Sequence, residues 1–482
     1  MLRRAVLALL ATAAFTAACG GAGGTGGDGG GPGPDAVEIP AELSCVPQSG
    51  ARLRRLLRTH SDGTSVDVGV HDQQLGSECT FQAVTDGSLV CVPTTGVGDA
   101  QPRWLDPTCS GEMLAETYDP DLTAAILRVQ FDDGDVCTNE PALYRAADPI
   151  APDPSLTTAY TRTGDRCVEV GYLISSYVRL AGPADLATVT VSYVGGRLQV
   201  RQLDGADGSR FCDGFAPLRD AADDGRACEL AVADDLVIRC VPPGQYVTSL
   251  YADAACGDAV EVVLPSTCQA GTGIVRELDA NGCLRTTLRG VGALVPTTLH
   301  EIGFDGECTS YAGEPGHLVG AVVPPETYPG LTRTYATMGG RLERGDLAGA
   351  GLRIFRSQLR DADLDTPCAF TPVLEDGADA PILHCLPEAS TAAEDAVAQV
   401  TAGFADEGCL IPLTLAAVPA NCVAIVPRFA RENTRVFRVG AATTTAFYVL
   451  GNGCERDTSR VLYELGEELP ASGFVTGVIA PE

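Results

Sequence analysis

The chain of 482 residues contains an internal triplication, which constrains its fold more than any other feature. A four-residue word, Gly-Ala-Arg-Leu or Gly-Gly-Arg-Leu, occupies residues 50–53, 195–198 and 339–342, so its copies begin 145 and 144 residues apart. After each word the cysteines follow one order: a pair ending in Cys-Val-Pro or Cys-Leu-Pro, an aromatic-x-Asp-x-x-Cys phrase, and a last cysteine. Self-similarity at a fixed period predicts three copies of one structural unit.

Most segments of the chain have the composition of β-strands. They are short, rich in β-branched and aromatic residues and bounded by Gly, Asp or Pro, as at residues 186–194, 260–264 and 446–450. Outside the leader, helical periodicity is confined to residues 52–58 and 391–400.

This pattern predicts an all-β fold, a β-propeller-like array of disulfide-stapled hairpins with six or seven blades. The alternative is three tandem disulfide-rich β domains, because the repeat length is also an ordinary domain size. The predicted boundaries are 1–18 for a signal peptide, 19–40 for a lipidated cysteine with a Gly-rich linker, and 41–194, 195–338 and 339–482 for the repeats.

The first nineteen residues have the form of an export signal. Arg3 and Arg4 precede the apolar stretch 5–14, which is too short to cross a bilayer, and the small residues 16–18 lead into Cys19. Small residues directly before a cysteine resemble the lipobox of bacterial lipoproteins. The resemblance covers the leader alone. It implies cleavage before Cys19, a diacylglycerol on its thiol, and attachment to the cell envelope, by the family's sorting rule at the outer membrane.

Composition limits the partners of the chain. Residues 20–35 are mostly glycine and predict a flexible tether of about 20–25 Å between lipid and folded part. The chain carries 33 basic and 63 acidic residues, a net charge of −30. Because phosphate binding needs clustered cations, this balance argues against nucleic acid. The membrane, through the lipid anchor, and a cell-surface protein or glycan remain as expected partners, and no cofactor is indicated.

The chain has 19 cysteines, so an even number remains after Cys19, as expected for disulfides in an exported protein. Local hairpins favour the pairs Cys79–Cys91, Cys228–Cys240, Cys368–Cys385, Cys256–Cys268, Cys409–Cys422 and Cys109–Cys137. The remaining cysteines would then form Cys167–Cys212, Cys283–Cys308 and Cys45–Cys454. The last of these pairs would join the two ends of the chain.

The sequence offers no catalytic motif. It contains no GxSxG, HExxH or phosphate-loop pattern, and its five histidines do not recur at equivalent positions. A carboxylate pair could still serve a hydrolase, and residues 141–166 are the nearest approach to an inserted polar loop. We therefore predict that the chain is not an enzyme.

Two acidic clusters have the alternating oxygens of a calcium loop. Asp361, Asp363 and Asp365 form one of them, but this segment lacks the Gly and the distal Glu of an EF-hand loop. Residues 132–135 form the other. A solvated turn is the simpler interpretation of both, so no metal site is predicted beyond these weak candidates.

Two further features have a functional and a structural interpretation. Arg344-Gly345-Asp346 matches the integrin-binding tripeptide, which arises easily by chance in a chain rich in Arg, Gly and Asp. Trp104 occupies the repeat position held elsewhere by Tyr251 and Phe404, and interchangeable aromatic residues indicate core packing, with carbohydrate stacking as the alternative.

The leader, the tether and the repeats together predict a membrane-anchored cell-surface lipoprotein that acts as a binding, adhesion or scaffold module. A structural envelope protein is the first alternative, and an exported carboxylate-dependent hydrolase is the second.

Overall fold

The protein is described from a computed structural model. The structure describes residues 42–482 except 118–124, 132–139, 151–157, 164–165, 171–175, 214–215, 236, 265–273, 279–284, 304–305, 314, 376–379, 389–396, 420–425 and 451–452. Within these residues the secondary structure consists of strands and two short 3-10 turns, Pro325–Thr327 and Ala471–Gly473. No helix in this part of the chain is long and apolar enough to span a membrane.

The strands of the first block are β1 (Leu53–His60), β2 (Ser65–Asp72), β3 (Ser77–Ala83), β4 (Leu89–Pro93), β5 (Val97–Trp104), β6 (Met113–Thr117), β7 (Ile126–Val129), β8 (Ala142–Ile150), β9 (Ala159–Thr163), β10 (Arg166–Val170) and β11 (Ser176–Pro183). The chain continues with β12 (Thr188–Gly195), β13 (Leu198–Gly205), β14 (Arg210–Cys212), β15 (Leu218–Asp220), β16 (Arg226–Ala233), β17 (Ile238–Val241), β18 (Gln245–Tyr251), β19 (Ala259–Val263), β20 (Ile274–Leu278), β21 (Arg285–Leu294), β22 (His300–Ile302), β23 (Cys308–Ser310) and β24 (His317–Val322). The last strands are β25 (Gly330–Thr337), β26 (Leu342–Gly349), β27 (Leu352–Asp361), β28 (Thr366–Val373), β29 (Ile382–Pro387), β30 (Val397–Phe404), β31 (Pro412–Pro419), β32 (Phe429–Glu432), β33 (Arg435–Ala442), β34 (Tyr448–Leu450), β35 (Cys454–Arg456), β36 (Arg460–Leu469) and β37 (Thr476–Pro481).

Fifteen of these strands pair in a closed cycle, which we call the ring. The pairings run β1-β2-β3-β4-β12-β13-β15-β16-β17-β25-β26-β27-β28-β29-β37 and return to β1. Each block contributes an equivalent set of five strands, and all of these pairings are antiparallel. A closed cycle leaves no strand edge unpaired along the ring, which removes a route to edge-to-edge aggregation.

The first and last strands of the described chain, β1 and β37, pair with each other in the ring. β12–β13 and β25–β26 are continuous hairpins whose connections contain the second and third Gly-x-Arg-Leu words. The third equivalent pair is β37 with β1, in register from Leu56 opposite Pro481 to His60 opposite Gly477. The C-terminal strand therefore completes the first unit of the ring.

Each block also forms a small closed barrel outside the ring. In the first barrel β5, β6, β11, β8 and β7 pair in that order, and β7 closes on β5 in parallel. β18, β19, β24, β21 and β20 repeat this order in the second barrel. β30, β31, β36, β33 and β32 repeat it in the third. The three barrels are therefore topologically equivalent, including the position of their one parallel pair.

A short hairpin is attached to every barrel through the aromatic residue of the aromatic-x-Asp-x-x-Cys phrase. Trp104 pairs with Tyr160 of β9, Tyr251 with His300 of β22, and the corresponding pair in the third barrel is Phe404 with Tyr448. A disulfide joins each phrase to its hairpin: Cys109–Cys167, Cys256–Cys308 and Cys409–Cys454.

The core of the ring lies between neighbouring blocks. Leu53, Leu198 and Leu342, the leucines of the three words, are each at most 1% exposed. Leu53 packs in a cluster with residues of the second block, Leu198 with residues of the third, and the cluster of Leu342 includes Val66 of the first block. Because the apolar area is buried between blocks, the ring units depend on one another for stability.

The predicted all-β, disulfide-rich fold with internal repeats is confirmed. In place of four-stranded blades, each block supplies five ring strands and one barrel. The predicted boundary between residues 194 and 195 falls within β12, and the one between residues 338 and 339 falls in the connection from β25 to β26, so both boundaries cut through ring hairpins.

The predicted helix over residues 52–58 is wrong, because residues from Leu53 onward form β1. Leu53 and Leu56 lie three residues apart and therefore on opposite faces of β1, and both are buried because each face is covered. That spacing imitates a helical face. Of the second predicted helix, residues 391–396 lie outside the described residues, and the remainder belongs to β30.

The ring disulfides Cys79–Cys91, Cys228–Cys240 and Cys368–Cys385 are confirmed. The predicted pairs Cys109–Cys137, Cys256–Cys268, Cys409–Cys422, Cys167–Cys212, Cys283–Cys308 and Cys45–Cys454 are wrong, because at least one member of each is bonded to another cysteine. Cys137, Cys268, Cys283 and Cys422 themselves lie outside the described residues. Cys45, which precedes β1, is instead bonded to Cys212 of the second block. The first and last strands, β1 and β37, are joined by strand pairing and not by a disulfide.

Candidate functional site

The Gly-x-Arg-Leu word contributes an arginine that pairs with a buried aspartate in every block. The Nη2–Oδ2 distances are 2.9 Å for Arg52–Asp72, 3.0 Å for Arg197–Asp220 and 2.6 Å for Arg341–Asp361. The three aspartates lie opposite the word leucines across the β1–β2, β13–β15 and β26–β27 pairings. A buried charge must be paired to be tolerated, so the repeated word is explained by structure rather than by chemistry on a substrate.

Residues in the turns of the ring accept hydrogen bonds from the Gly-x-Arg-Leu word of a neighbouring block. Asp207 Oδ2 of the second block accepts hydrogen bonds from the backbone N–H groups of Arg52 and Leu53, both at 2.7 Å. Asp62 Oδ2 of the first block accepts the N–H of Leu342 at 2.7 Å. In the third block a backbone carbonyl takes this role, since Ala350 accepts the N–H of Leu198 at 3.0 Å. These contacts form a cyclic interlock of the three blocks.

Hydrogen bonding also governs the acidity of the aspartate between the first two blocks. Burial by itself would raise the pKa of Asp207, but hydrogen bonds from Ser209, Leu53 and Arg52 outweigh it and lower the pKa to about 2. The carboxylate therefore stays ionised at neutral pH and serves as an acceptor.

The calcium candidates are placed as partners of arginines. Asp361 is fully buried against Arg341, and Asp363 lies 3.3 Å from the same guanidinium. The carboxylate of Asp365 forms salt bridges with Arg360 and Arg428. Within the described residues no three His, Cys, Asp or Glu side chains are grouped to hold a metal ion. The second cluster, residues 132–135, lies outside those residues.

The other sequence candidates are also structural. Asp346 of the Arg-Gly-Asp tripeptide is fully buried in β26 and paired with Arg344 and Arg353, so its carboxylate is withdrawn from solvent. Trp104 is 6% exposed, as core packing requires. The described part of the segment 141–166 supplies β8, β9 and the start of β10, and these strands have counterparts in both other blocks.

A cavity of about 400 Å³ lies at the contact between the ring and the third barrel, and we call it the seam cavity. Asp363 and Leu364 line it from the turn between β27 and β28, while residues 426–429, Arg438 and Val439 line it from the barrel. Its volume falls within the range of about 300–1,000 Å³ that is typical of small-molecule sites.

The lining of the seam cavity combines an apolar floor with two guanidinium groups. Phe429 is 3% exposed and belongs to the apolar cluster that joins ring and barrel, with Leu364 packed against that cluster. The Cζ atoms of Arg428 and Arg438 lie 5.8 and 6.0 Å from the Phe429 ring centroid. Val426, at the rim, is 62% exposed.

Arg428 distinguishes the third barrel from the other two, whereas Arg438 has an equivalent arginine in the first barrel. The Phe429–Arg438 register pair corresponds to Ile126–Arg145 in the first barrel and to Ile274–Gly290 in the second. In the sequence, Arg428 precedes Phe429, whereas alanine and glycine precede the corresponding isoleucines. No sequence pattern indicated Arg428 and Arg438 as a site. They come together only when β32 pairs with β30 and β33 in the folded barrel.

A family profile described as a family of unknown function, DUF7481, matches residues 42–207 and 212–474. The chain belongs to this family. The match runs through all three blocks and ends just before β37. No curated protein and no solved structure matches the chain.

Proposed function

We propose that the protein is a lipid-anchored binding module of the bacterial cell envelope, held to the outer membrane through Cys19, and that it binds a ligand in the seam cavity. The cavity carries the proposal, because it is concave, is lined by both apolar and charged side chains, and contains an arginine, Arg428, that the other two barrels lack. The disulfides support an oxidising compartment such as the envelope.

The scaffold suits such a role. The cavity lies between two separately closed sets of strands, and Arg431 of the barrel donates from Nη2 to Thr371 Oγ1 of the ring at 2.7 Å. Ring and barrel also share the buried cluster of Phe429 and Phe474. Binding sites held by such contacts lose little entropy when a ligand enters.

A thermal melt of the oxidised mature chain, carrying Cys19→Ser, tests the binding role. Soluble glycans, peptides and small organic acids form the panel, and a ligand at a hundredfold its dissociation constant should add about 2.7 kcal/mol of stability. Val426→Asp should abolish the shift, while the control Val191→Asp, at a ring residue that is 44% exposed, should preserve it. A flat panel would contradict the binding role and favour a structural one.

The anchor is tested separately in cells. We expect the full-length protein in the membrane fraction and the Cys19→Ala variant outside it. Equal membrane association of both proteins would contradict anchoring through Cys19.

A further inference from the structure

The charge of the seam cavity is opposite to that of the chain. The protein carries a net charge of −30, yet two guanidinium groups lie beside the cavity. Arg438 is exposed and makes no salt bridge with any residue that the structure describes. Its neighbour Arg435, by contrast, pairs with Glu468 at 2.6 Å. A guanidinium left without a carboxylate is available to one brought by a ligand.

The second arginine, Arg428, already has hydrogen-bond and salt-bridge partners within the protein. Arg428 Nη2 donates to the backbone carbonyl of Asp365 and lies 3.5 Å from the carboxylate of that residue. Asp363, at the rim, is 3.3 Å from Arg341 Nε. With one free guanidinium and two carboxylates nearby, the site favours a ligand with one negative charge over a polyanion.

Apolar side chains also line the cavity, beside the two arginines and Asp363. Leu364, Phe429 and Val439 supply carbon surface beside Arg438, so a bound anion would be partly removed from water. Lower local polarity strengthens the attraction between a guanidinium and a carboxylate.

We propose that the seam cavity binds a small organic monocarboxylate with an apolar body, whose carboxylate pairs with Arg438 and whose hydrocarbon part lies against Phe429 and Leu364. The inference rests on the proposed function and names the ligand class for the same site. The apolar part would supply most of the affinity, and the arginine would select the ionised group.

The probes are 4-phenylbutanoate and its neutral amide, 4-phenylbutanamide, titrated into the Cys19→Ser mature chain by calorimetry. We expect the carboxylate to bind at least about tenfold more tightly than the amide, the difference that one charge-assisted contact supplies. Arg438→Gln should weaken carboxylate binding about tenfold and leave amide binding unchanged. Arg145→Gln, at the equivalent exposed position of the first barrel, should bind both probes like the parent chain.

Each outcome bears on one proposal. Equal binding of acid and amide, or carboxylate binding that Arg438→Gln leaves intact, would overturn the ligand class. If neither probe binds while another panel member gives a shift that Val426→Asp abolishes, the ligand class fails and the binding function stands. Unliganded melts of both arginine variants should match the parent, because both side chains are exposed.

Discussion

Asp207 shows how single side chains hold the ring together. Its carboxylate belongs to the second block but accepts two backbone N–H groups from the word of the first. Asp62 has the same role toward the third block, whereas Ala350 uses its backbone carbonyl. In all three blocks a turn therefore accepts a backbone N–H group from the word of a neighbouring block, although the accepting group differs.

Replacing Asp207 with alanine should destabilise the protein by about 3 kcal/mol, because it leaves two N–H groups without their charged acceptor. The control is Asp99→Ala, whose side chain is 81% exposed and makes one surface salt bridge with Arg128. It should cost less than about 0.5 kcal/mol. Denaturant unfolding measures both, and equal losses would contradict the role assigned to Asp207.

His60 makes stability depend on pH. It stacks on Phe370 at 4.8 Å, and burial, assisted by the charge of Arg58, lowers its pKa to about 4 against the opposing effect of Asp62. An unfolded histidine titrates near pH 6.5, so the unfolded state takes up the proton first and stability falls as the pH drops from about 6.5 to about 4.

Between pH 7 and pH 4.5 this histidine should remove about 2–3 kcal/mol of stability. A His60→Phe variant lacks the titrating group, so its unfolding free energy should fall by that much less over the same interval. Urea unfolding at both pH values gives the comparison. The same pH dependence in parent and variant would contradict the assignment.

At the residue scale, the sequence identified the word but not the partner of its arginine. Asp72, Asp220 and Asp361 each lie a few residues before the first cysteine of a ring pair, and this recurring spacing was an available signal. Arg428 of the seam cavity left no such signal, because a residue present in only one block cannot be found by comparing repeats.

At the scale of elements, the two classes of disulfide differ in what else supports them. Cys368–Cys385 joins β28 and β29, which are paired along their length. Cys409–Cys454 attaches the β34–β35 hairpin, whose strand pairing to the barrel is the contact of Phe404 with Tyr448. The barrel hairpin therefore depends more on its covalent link than the ring hairpin does.

Replacing Cys409 and Cys454 with serine should abolish amide hydrogen-exchange protection across β34–β35 and cost about 4 kcal/mol of stability. In the control, alanine at Cys368 and Cys385, loss of the shorter disulfide loop should cost about 3 kcal/mol, with a further loss of core packing because both cysteines are buried, but protection in β28–β29 should remain. Retained protection in β34–β35 would contradict the dependence of that hairpin on its disulfide.

The ring disulfides were predictable, because their cysteines lie in adjacent strands of one hairpin. The barrel disulfides were not. The sequence places Cys268 close to Cys256, but the actual partner, Cys308, follows after most of a barrel. A short sequence separation favours pairing of Cys256 with Cys268. In the folded barrel, however, the chain comes back close to Cys256 only at Cys308.

In the molecule as a whole, pairing of the last strand, β37, with the first strand, β1, closes the ring. β37 lies between β1 and β29, and Glu482 donates its backbone N–H to the carbonyl of Arg55 at 3.0 Å. Repetition predicted a closed array from the sequence, but the barrels needed strand pairings that a repeat pattern does not contain.

A chain ending at Val475 lacks β37 and exposes the edges of β1 and β29. We expect it to melt at a lower temperature and to aggregate, because unpaired edges invite further strand addition. A peptide of residues 476–482 should restore the melting temperature by filling the vacant position. An unchanged, monomeric truncated chain would contradict closure by the C-terminal strand.

Three equivalent ring-and-barrel units in one closed chain imply a particular disulfide pattern, which mass spectrometry of non-reduced peptides from the oxidised protein can map. We expect Cys109–Cys167, Cys256–Cys308 and Cys409–Cys454 at equivalent positions, together with Cys45–Cys212. Recovery of the local pairs Cys256–Cys268 and Cys409–Cys422, or of Cys45–Cys454, would contradict this pattern.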